Sequence, residues 1–242
     1  MMQGKPATKI ALSAIDFDAA RELGVKPGDI PVEALGGQQA LLEWNRRESW
    51  CSPLNIAGES EVFDFTEGYD PNRQLNARFG IGRFGEDRVG MYETTLFKSA
   101  EEPRTVHMGL DIGAAEGTPV FAPLDGEIWG ADVLPSAGDY GGTVIVKTAG
   151  ERPLYMLFGH LSTLTARRWS KAQRVDKGEL LGWLGSKAEN GGWNPHLHWQ
   201  ISWLEPVKVD LPGAVAKSRW AIATRVFADP TPLLRASIAG WS

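Results

Sequence analysis

The sequence predicts a mainly β protein, with an antiparallel β-sheet domain over residues 101–242 and a mixed helix-and-loop extension over residues 1–100. Three observations predict it. From about residue 105, short β-branched and apolar runs recur with turn signals between them. Residues 196–203 alternate polar and apolar without a break. Residues 1–60 lack both features and carry two stretches with helical spacing instead.

In chain order, Asp16–Leu23 opens a short helix. Val32–Arg47 forms a longer one, in which Val32, Leu35, Leu41, Leu42 and Trp44 follow a loose stripe broken at Gly36-Gly37. Residues 61–104 read as short strands and loops, with Gly80, Gly82, Gly85 and Gly90 spread through them. Thr118–Ala122 and Gly126–Val133 read as strands around the turn Pro123-Leu-Asp-Gly126. Thr143–Lys147 is a β-branched run, Pro153–Leu161 an apolar one, and Val175–Trp183 turns at Asp176-Lys-Gly178. In the tail, Asp229-Pro-Thr-Pro-Leu-Leu-Arg235 starts a helical turn capped by Asp229 or Thr231.

Composition narrows the function. The apolar fraction of 43% and ten tryptophans supply a core for one large domain, alone or with an appended segment. The net charge of −5 is spread along the chain with no basic stripe, which argues against a nucleic-acid partner. Cys51 is the only cysteine, so an intramolecular disulfide and a thiolate zinc knot are excluded. No apolar run approaches the ~20 residues of a bilayer span. The N-terminal apolar patch, Ile10–Ile15, is cut off by Asp16 and Asp18 and is shorter than the roughly 7–15-residue core of a signal peptide. The expectation is a cytoplasmic protein, or a periplasmic or secreted one if the chain is the trimmed form of an exported protein.

The chemistry lies in the histidines. All four fall in short motifs: His107-Met-Gly-Leu-Asp111, Phe158-Gly-His160-Leu161 and His196-Leu-His198. Imidazole is the commonest metal ligand and the commonest general base near neutral pH, so this distribution points to a mononuclear metal-dependent hydrolase. On the strand from His196, residues 196, 198, 200 and 202 are His, His, Gln and Ser, while 197, 199, 201 and 203 are Leu, Trp, Ile and Trp. One face therefore carries both imidazoles and the other can anchor in a core. Gly109 and Gly113 argue against a helix for His107-x3-Asp111 and for a loop or bent strand. Two histidines and one carboxylate leave a fourth position on Zn²⁺ open for water. Zn²⁺ brings the pKa of that water from near 16 to ~7 and polarises a scissile carbonyl. Four histidines and one aspartate exceed three ligands, so the surplus imidazoles are free to act as base, acid or transition-state donors. The His-Glu-x-x-His arrangement is absent.

As a set these motifs resemble the M23 family of zinc metallopeptidases, of the lysostaphin and LytM type. The resemblance rests on His107-Met-Gly-Leu-Asp111-Ile-Gly, Phe158-Gly-His160-Leu161-Ser162 and Pro195-His196-Leu-His198-Trp. Gly117-Thr-Pro-Val-Phe-Ala-Pro-Leu-Asp-Gly126, Tyr140-Gly141-Gly-Thr-Val and Val175-Asp-Lys-Gly178-Glu-Leu-Leu-Gly182-Trp-Leu-Gly185 support it. It covers roughly residues 105–203. It implies a β-sheet whose cleft holds one Zn²⁺ per chain, with His107, Asp111 and His198 as ligands and His160 and His196 as the catalytic histidines that do not bind metal. It implies a zinc endopeptidase that cuts glycine-containing peptides or peptidoglycan cross-links. In some relatives an upstream segment blocks the groove through an asparagine; Asn72 and Asn76 are the residues here that would do so.

The chain departs from the family pattern at the approach to the His-x-His strand, where it carries Gly185-Ser-Lys-Ala-Glu-Asn-Gly-Gly-Trp-Asn194. Asn190, Trp193 and Asn194, with Tyr140, are the candidate substrate contacts. Gly142 and Gln200 stand where relatives often carry asparagine and glutamate. Other readings compete: a non-enzymatic relative that binds peptidoglycan or activates a hydrolase, and an intracellular peptide or amide hydrolase with a substrate outside the cell wall. A cupin-type oxygenase is disfavoured because its further ligands follow the His-x-His pair, and here no histidine lies beyond His198. A lipoyl- or biotin-type carrier is discounted because no lysine of this chain sits at a tight hairpin tip flanked as such carriers require. The oligomeric state is left open.

Overall fold

The computed structural model describes residues 14–27, 37–46, 49–55, 59–73, 78–98 and 102–237. Its first helices are α1 (Ala14–Glu22) and α2 (Gly37–Asn45), followed by strands β1 (Ser60–Val62) and β2 (Phe79–Gly82) and the single turn α3 (Thr95–Lys98). Helix α2 begins at the glycine pair that interrupts the sequence stripe; residues 32–36 and 47 of the expected longer helix lie outside the described residues. Then come β3 (Val106–His107), β4 (Leu110–Gly113), β5 (Pro119–Phe121), β6 (Gly126–Leu134), β7 (Gly141–Thr148) and β8 (Tyr155–Leu161). After α4 (Thr163–Arg168) the chain forms β9 (Arg174–Val175), β10 (Leu180–Trp183), β11 (His196–Ser202) and β12 (Ala214–Val215). A 3₁₀ turn (Lys217–Arg219), α5 (Trp220–Val226), β13 (Phe227–Ala228) and α6 (Thr231–Ser237) follow. Asp229 caps α6: its Oδ1 accepts from the Thr231 backbone N–H at 2.9 Å.

One nine-stranded sheet runs β1-β2-β4-β11-β8-β7-β6-β9, with β13 paired to β11. Two small ribbons, β5/β10 and β3/β12, complete the β structure. Every pairing is antiparallel except β1 with β2. The protein is therefore mainly β, as the strand pattern predicts. Residues 60–82 are not separate from the sheet, however. Strand β2 pairs directly with β4, so the division at residue 100 does not coincide with a break in the sheet.

The anchoring face of β11 behaves as its alternation demands. Leu197, Trp199 and Ile201 are buried, each apolar side chain contributing roughly 1.5–3 kcal/mol relative to exposure. The opposite face is not solvated: His198, Gln200 and Ser202 are buried as well. Buried polar groups must be hydrogen-bonded to persist, so the polar face of β11 is a built site rather than a surface.

Candidate metal centre and cleft

Register brings the motifs together. In the β4/β11 ladder His198 pairs with Asp111 and His196 with Gly113, while in the β8/β11 ladder His198 pairs with Gly159. Directly opposed residues share a face, with Cβ atoms ~5 Å apart, so the carboxylate of Asp111 is delivered beside the His198 ring. His107 arrives from β3 through the bend at Met108-Gly109. That bend needs a glycine: a Cβ built on Gly109 meets the His198 ring, 2.5 Å from Nε2.

Three atoms converge. His107 Nε2 lies 3.1 Å from His198 Nδ1 and 3.2 Å from Asp111 Oδ1, and His198 Nδ1 lies 3.0 Å from the same oxygen. These are nearly the edges of a tetrahedron around an ion with ~2.0–2.1 Å bonds, which are about 3.3–3.4 Å long. The outer nitrogens explain the polarity. His107 Nδ1 lies 2.8 Å from the Arg83 carbonyl oxygen and His198 Nε2 lies 3.1 Å from Gln200 Oε1. Both acceptors call for a ring N–H on the outer side, which leaves two bare lone pairs and a carboxylate oxygen facing one point. No proton of their own joins them, so a cation fits the gap. Among the described residues this is the one His/Cys/Asp/Glu group of three with metal-site geometry.

Electrostatics agree. Burial alone would raise the Asp111 carboxyl, yet His107 and the Arg88 guanidinium hold it well below the usual carboxylate range. Burial, then the Arg88 charge, pushes His107 down to about 4 against the pull of Asp111, so its neutral form dominates at neutral pH. Arg88 donates from Nη1 to Asp111 Oδ2 at 2.7 Å and from Nε to Glu86 Oε2 at 3.0 Å, and both partners of that second pair are buried. The sequence gives no sign of this network. Arg83, Glu86 and Arg88 read as an ordinary charged loop, and only the addition of β2 to β4 encloses them.

The two remaining imidazoles stand beside the triad. The rings of His160 and His196 are 4.1 Å apart between centroids, and His196 Nε2 lies 3.8 Å from Asp111 Oδ1. His160 gets there by an irregularity. Gly159 faces the site with His198, so strand alternation would send residue 160 to the other face. Instead β8 carries an extra residue between Phe158 and Leu161 relative to β7, and His160 has φ +62°. A bulge with a left-handed residue re-aims the side chain toward the site. His160 Nδ1 meets the Asn190 carbonyl oxygen at 2.9 Å and His196 Nδ1 the Asn194 carbonyl oxygen at 2.7 Å. Burial lowers both: His160 well below its ordinary value, helped by the charges of His196 and His198, and His196 to a lesser degree.

Of the other sequence candidates, Tyr140 sends its hydroxyl to the Leu211 carbonyl oxygen at 2.9 Å and sits 3.3 Å from His198 Nε2. Asn190 is fully buried; its Oδ1 accepts from the backbone N–H groups of Gly192 and Trp193, and its Nδ2 donates to the Trp193 carbonyl. Its amide is engaged within its own loop. The Asn194 backbone N–H donates to the Tyr69 hydroxyl at 3.1 Å. Trp193 packs edge-on against Tyr69 and Tyr92. Asn72 lies in an exposed turn, and Asn76 lies outside the described residues. Two cavities of about 370 Å³ each flank the triad and share Met91, Asp111, Trp193 and His196 as walls. One is lined by charged groups such as Arg104, Asp139 and Lys208, the other by Phe63, Phe65, Tyr69 and Pro195. No helix among the described residues is long and apolar enough to cross a membrane.

Comparison with known proteins agrees with this geometry. Residues 105–211 match the model of Peptidase family M23. The chain is 36% identical over 112 residues to the DD-carboxypeptidase/endopeptidase Mpg of Neisseria meningitidis serogroup B, a match covering 44% of this chain and 23% of that protein. It is 34% identical over 143 residues to a Haemophilus influenzae protein described as an uncharacterized metalloprotease, covering 55% of this chain and 28% of that one. The chain thus spans about a quarter of the length of these curated relatives. Among solved structures, a zinc-containing peptidase from Vibrio cholerae aligns with a TM-score of 0.39 at 21% identity, over 68% of this chain and 41% of that one.

Proposed function

We propose that this chain, a hydrolase by its M23 peptidase domain, is a zinc endopeptidase acting on glycine-containing peptides or on the peptide cross-links of peptidoglycan. The observation that carries the reading is the convergence of His107 Nε2, Asp111 Oδ1 and His198 Nδ1 within 3.0–3.2 Å of one another, their outer nitrogens already committed to other acceptors. These three residues would hold one Zn²⁺. When bound, the ion acidifies water and polarises the scissile carbonyl.

The chain's own side chains do the rest. His160 and His196 each hold a proton on Nδ1 against a backbone carbonyl, so each Nε2 presents a lone pair to the cleft. Because burial keeps both rings neutral at pH 7, they can take the proton of the attacking water and return it to the leaving amine. Once protonated, either ring can also donate to the charge developing on the carbonyl oxygen. Trp193 and Asn194 border the entry of substrate; Tyr140 and Asn190 support His198 and His160. The triad and His160 are buried, and the charged cavity that reaches them is also walled by Met91, Tyr92 and Trp193. A cross-link substrate places the protein where cell-wall peptide lies, on the periplasmic or outer side of the cytoplasmic membrane.

The test is digestion of purified peptidoglycan, oligoglycine and a mixed peptide library, read by mass spectrometry with zinc measured on the same sample. His107→Ala, Asp111→Ala and His198→Ala strip the zinc, whereas His160→Ala and His196→Ala retain it and lose turnover. Loss of zinc from His196→Ala would reassign the ligands. A protein that holds zinc and binds peptidoglycan without cutting any of the three substrates would be a binder rather than a peptidase.

A further inference from the structure

We propose that Arg88 restricts Asp111 to binding the metal through one oxygen, and so keeps the fourth coordination position vacant. The inference rests on the metal-centre reading above and adds a residue upstream of the matched segment 105–211.

The two oxygens of Asp111 have different partners. Oδ1 faces His107 and His198, while Oδ2 accepts from Arg88 Nη1 at 2.7 Å. Arg88 cannot yield easily. Its side chain is 1% exposed, its Nε is held by Glu86, and its Nη1 also donates to the Tyr92 hydroxyl at 3.1 Å. Its Cζ lies over the Phe65 ring, 4.7 Å from the centroid, and its Nη2 is buried without a hydrogen bond. Glu86 is pinned in turn, its Oε1 accepting from the Phe65 backbone N–H at 3.2 Å and from Arg83 at 2.8 Å. Gly82 makes the space: a Cβ there would stand 2.6 Å from Arg88 Nη2 and 3.1 Å from the Asp111 Cβ.

For Asp111 to bind through both oxygens, Oδ2 would have to leave a buried, charge-assisted hydrogen bond and strand a guanidinium without its partner. That is the costly case for a buried ion pair. One-oxygen binding leaves three protein ligand atoms and an open corner, which is what a hydrolytic zinc site requires. The same guanidinium draws charge from the carboxylate, so the ion is less neutralised by its ligands. Arg88 acts through Asp111 and is a positioning residue.

Two measurements on the full chain test this. X-ray absorption of the zinc-loaded wild type should show one Asp111 oxygen at about 2.0–2.2 Å and a four-coordinate ion; two carboxylate oxygens at bonding distance would overturn the proposal. The Co²⁺-loaded protein should show the intense visible absorption of a four-coordinate site. The Glu86→Gln/Arg88→Met pair, which frees Asp111 Oδ2 without leaving the Glu86 carboxylate short of its Arg88 partner, should keep one Co²⁺ per chain but shift to the weak absorption of a five-coordinate site. Its zinc form should lose turnover by roughly 10–100-fold, the range for a lost outer partner of a metal ligand. A folded double variant with the wild-type Co²⁺ spectrum would assign Arg88 a merely structural role and overturn the proposal. A wild type that takes up no stoichiometric Zn²⁺ or Co²⁺ would instead refute the metal centre itself.

Discussion

Gly109→Ala is the sharpest perturbation of the metal centre, because it adds one methyl group and removes no ligand. The added Cβ would stand 2.5 Å from His198 Nε2. Restoring an ordinary van der Waals spacing of about 3.5 Å takes a displacement of about 1 Å. The imidazole has nowhere to go. Its Nε2 is held by Gln200 at 3.1 Å, the Tyr140 hydroxyl lies 3.3 Å away, and Asp111 sits across the ladder. Metal–ligand distances tolerate about 0.2 Å, so a shift of that size takes His198 Nδ1 out of the coordination sphere. The expected cost is roughly 1–3 kcal/mol of fold stability from overpacking and ~100-fold in turnover from misplacement by 1 Å. Gly109 is not in the left-handed backbone region, so any effect comes from the side-chain clash. The assay is zinc retained against a graded series of chelator, with urea unfolding and peptide hydrolysis on the same preparation. A Gly109→Ala protein that keeps equimolar zinc at the wild-type chelator midpoint and cuts substrate at the wild-type rate would show that the close packing of His198 on residue 109 is not a constraint on the site.

Two further outcomes follow from the same geometry. His160→Gly should be more stable to urea than His160→Ala by about 1 kcal/mol, because residue 160 sits at φ +62° and an alanine pays the left-handed penalty that glycine escapes; equal midpoints would mean that the backbone relaxes once the ring is gone. The metal-free protein should lose stability as pH falls from about 6.5 toward 4. His107 titrates near 6.5 when unfolded and is held down to about 4 when folded, so between those values the unfolded chain binds the extra proton and stability rises with pH. The difference of about 2.5 units corresponds to roughly 3 kcal/mol, present in full above pH 6.5; urea midpoints in the presence of chelator that stay level from pH 7 to pH 4.5 would contradict the burial of a neutral His107.

The part of the site written in local spacing was legible. His196-Leu-His198 alternates because β11 is a strand, and Gly109 within His107-Met-Gly-Leu-Asp111, with Gly113 beyond it, marks a bend rather than a helix. What was not legible depends on contacts between distant segments. Strand periodicity places His160 on the wrong face; only the bulge against β7 and its left-handed backbone bring it beside His196. Helices α4 and α5 also escape a reading based on apolar stripes. Helix α4 is six residues long and is set by the Ser162 hydroxyl accepting from Thr165 N–H. Helix α5 packs against α2 and β13, elements that come together only in the fold. Burial of Gln200 and Ser202 was likewise invisible, since alternating polarity alone cannot distinguish a solvated face from a lined cleft.

The upstream segment shows the same limit from the other side. Charges at Arg83, Glu86 and Arg88 in a glycine-containing stretch have the composition of a surface loop. Pairing of Gly82 with Asp111 in the β2/β4 ladder turns that loop under the carboxylate. The Arg83 carbonyl then orients His107 and the Arg88 guanidinium holds Asp111, so two of the three converging residues take their outer hydrogen bonds from residues 83–88. His198 takes its own from Gln200, on the same strand. The unit that holds the three converging atoms in place therefore begins at β2, more than twenty residues before the segment that carries the recognisable motifs. A chain cut at residue 100 would keep every motif and lose the groups that aim two of them.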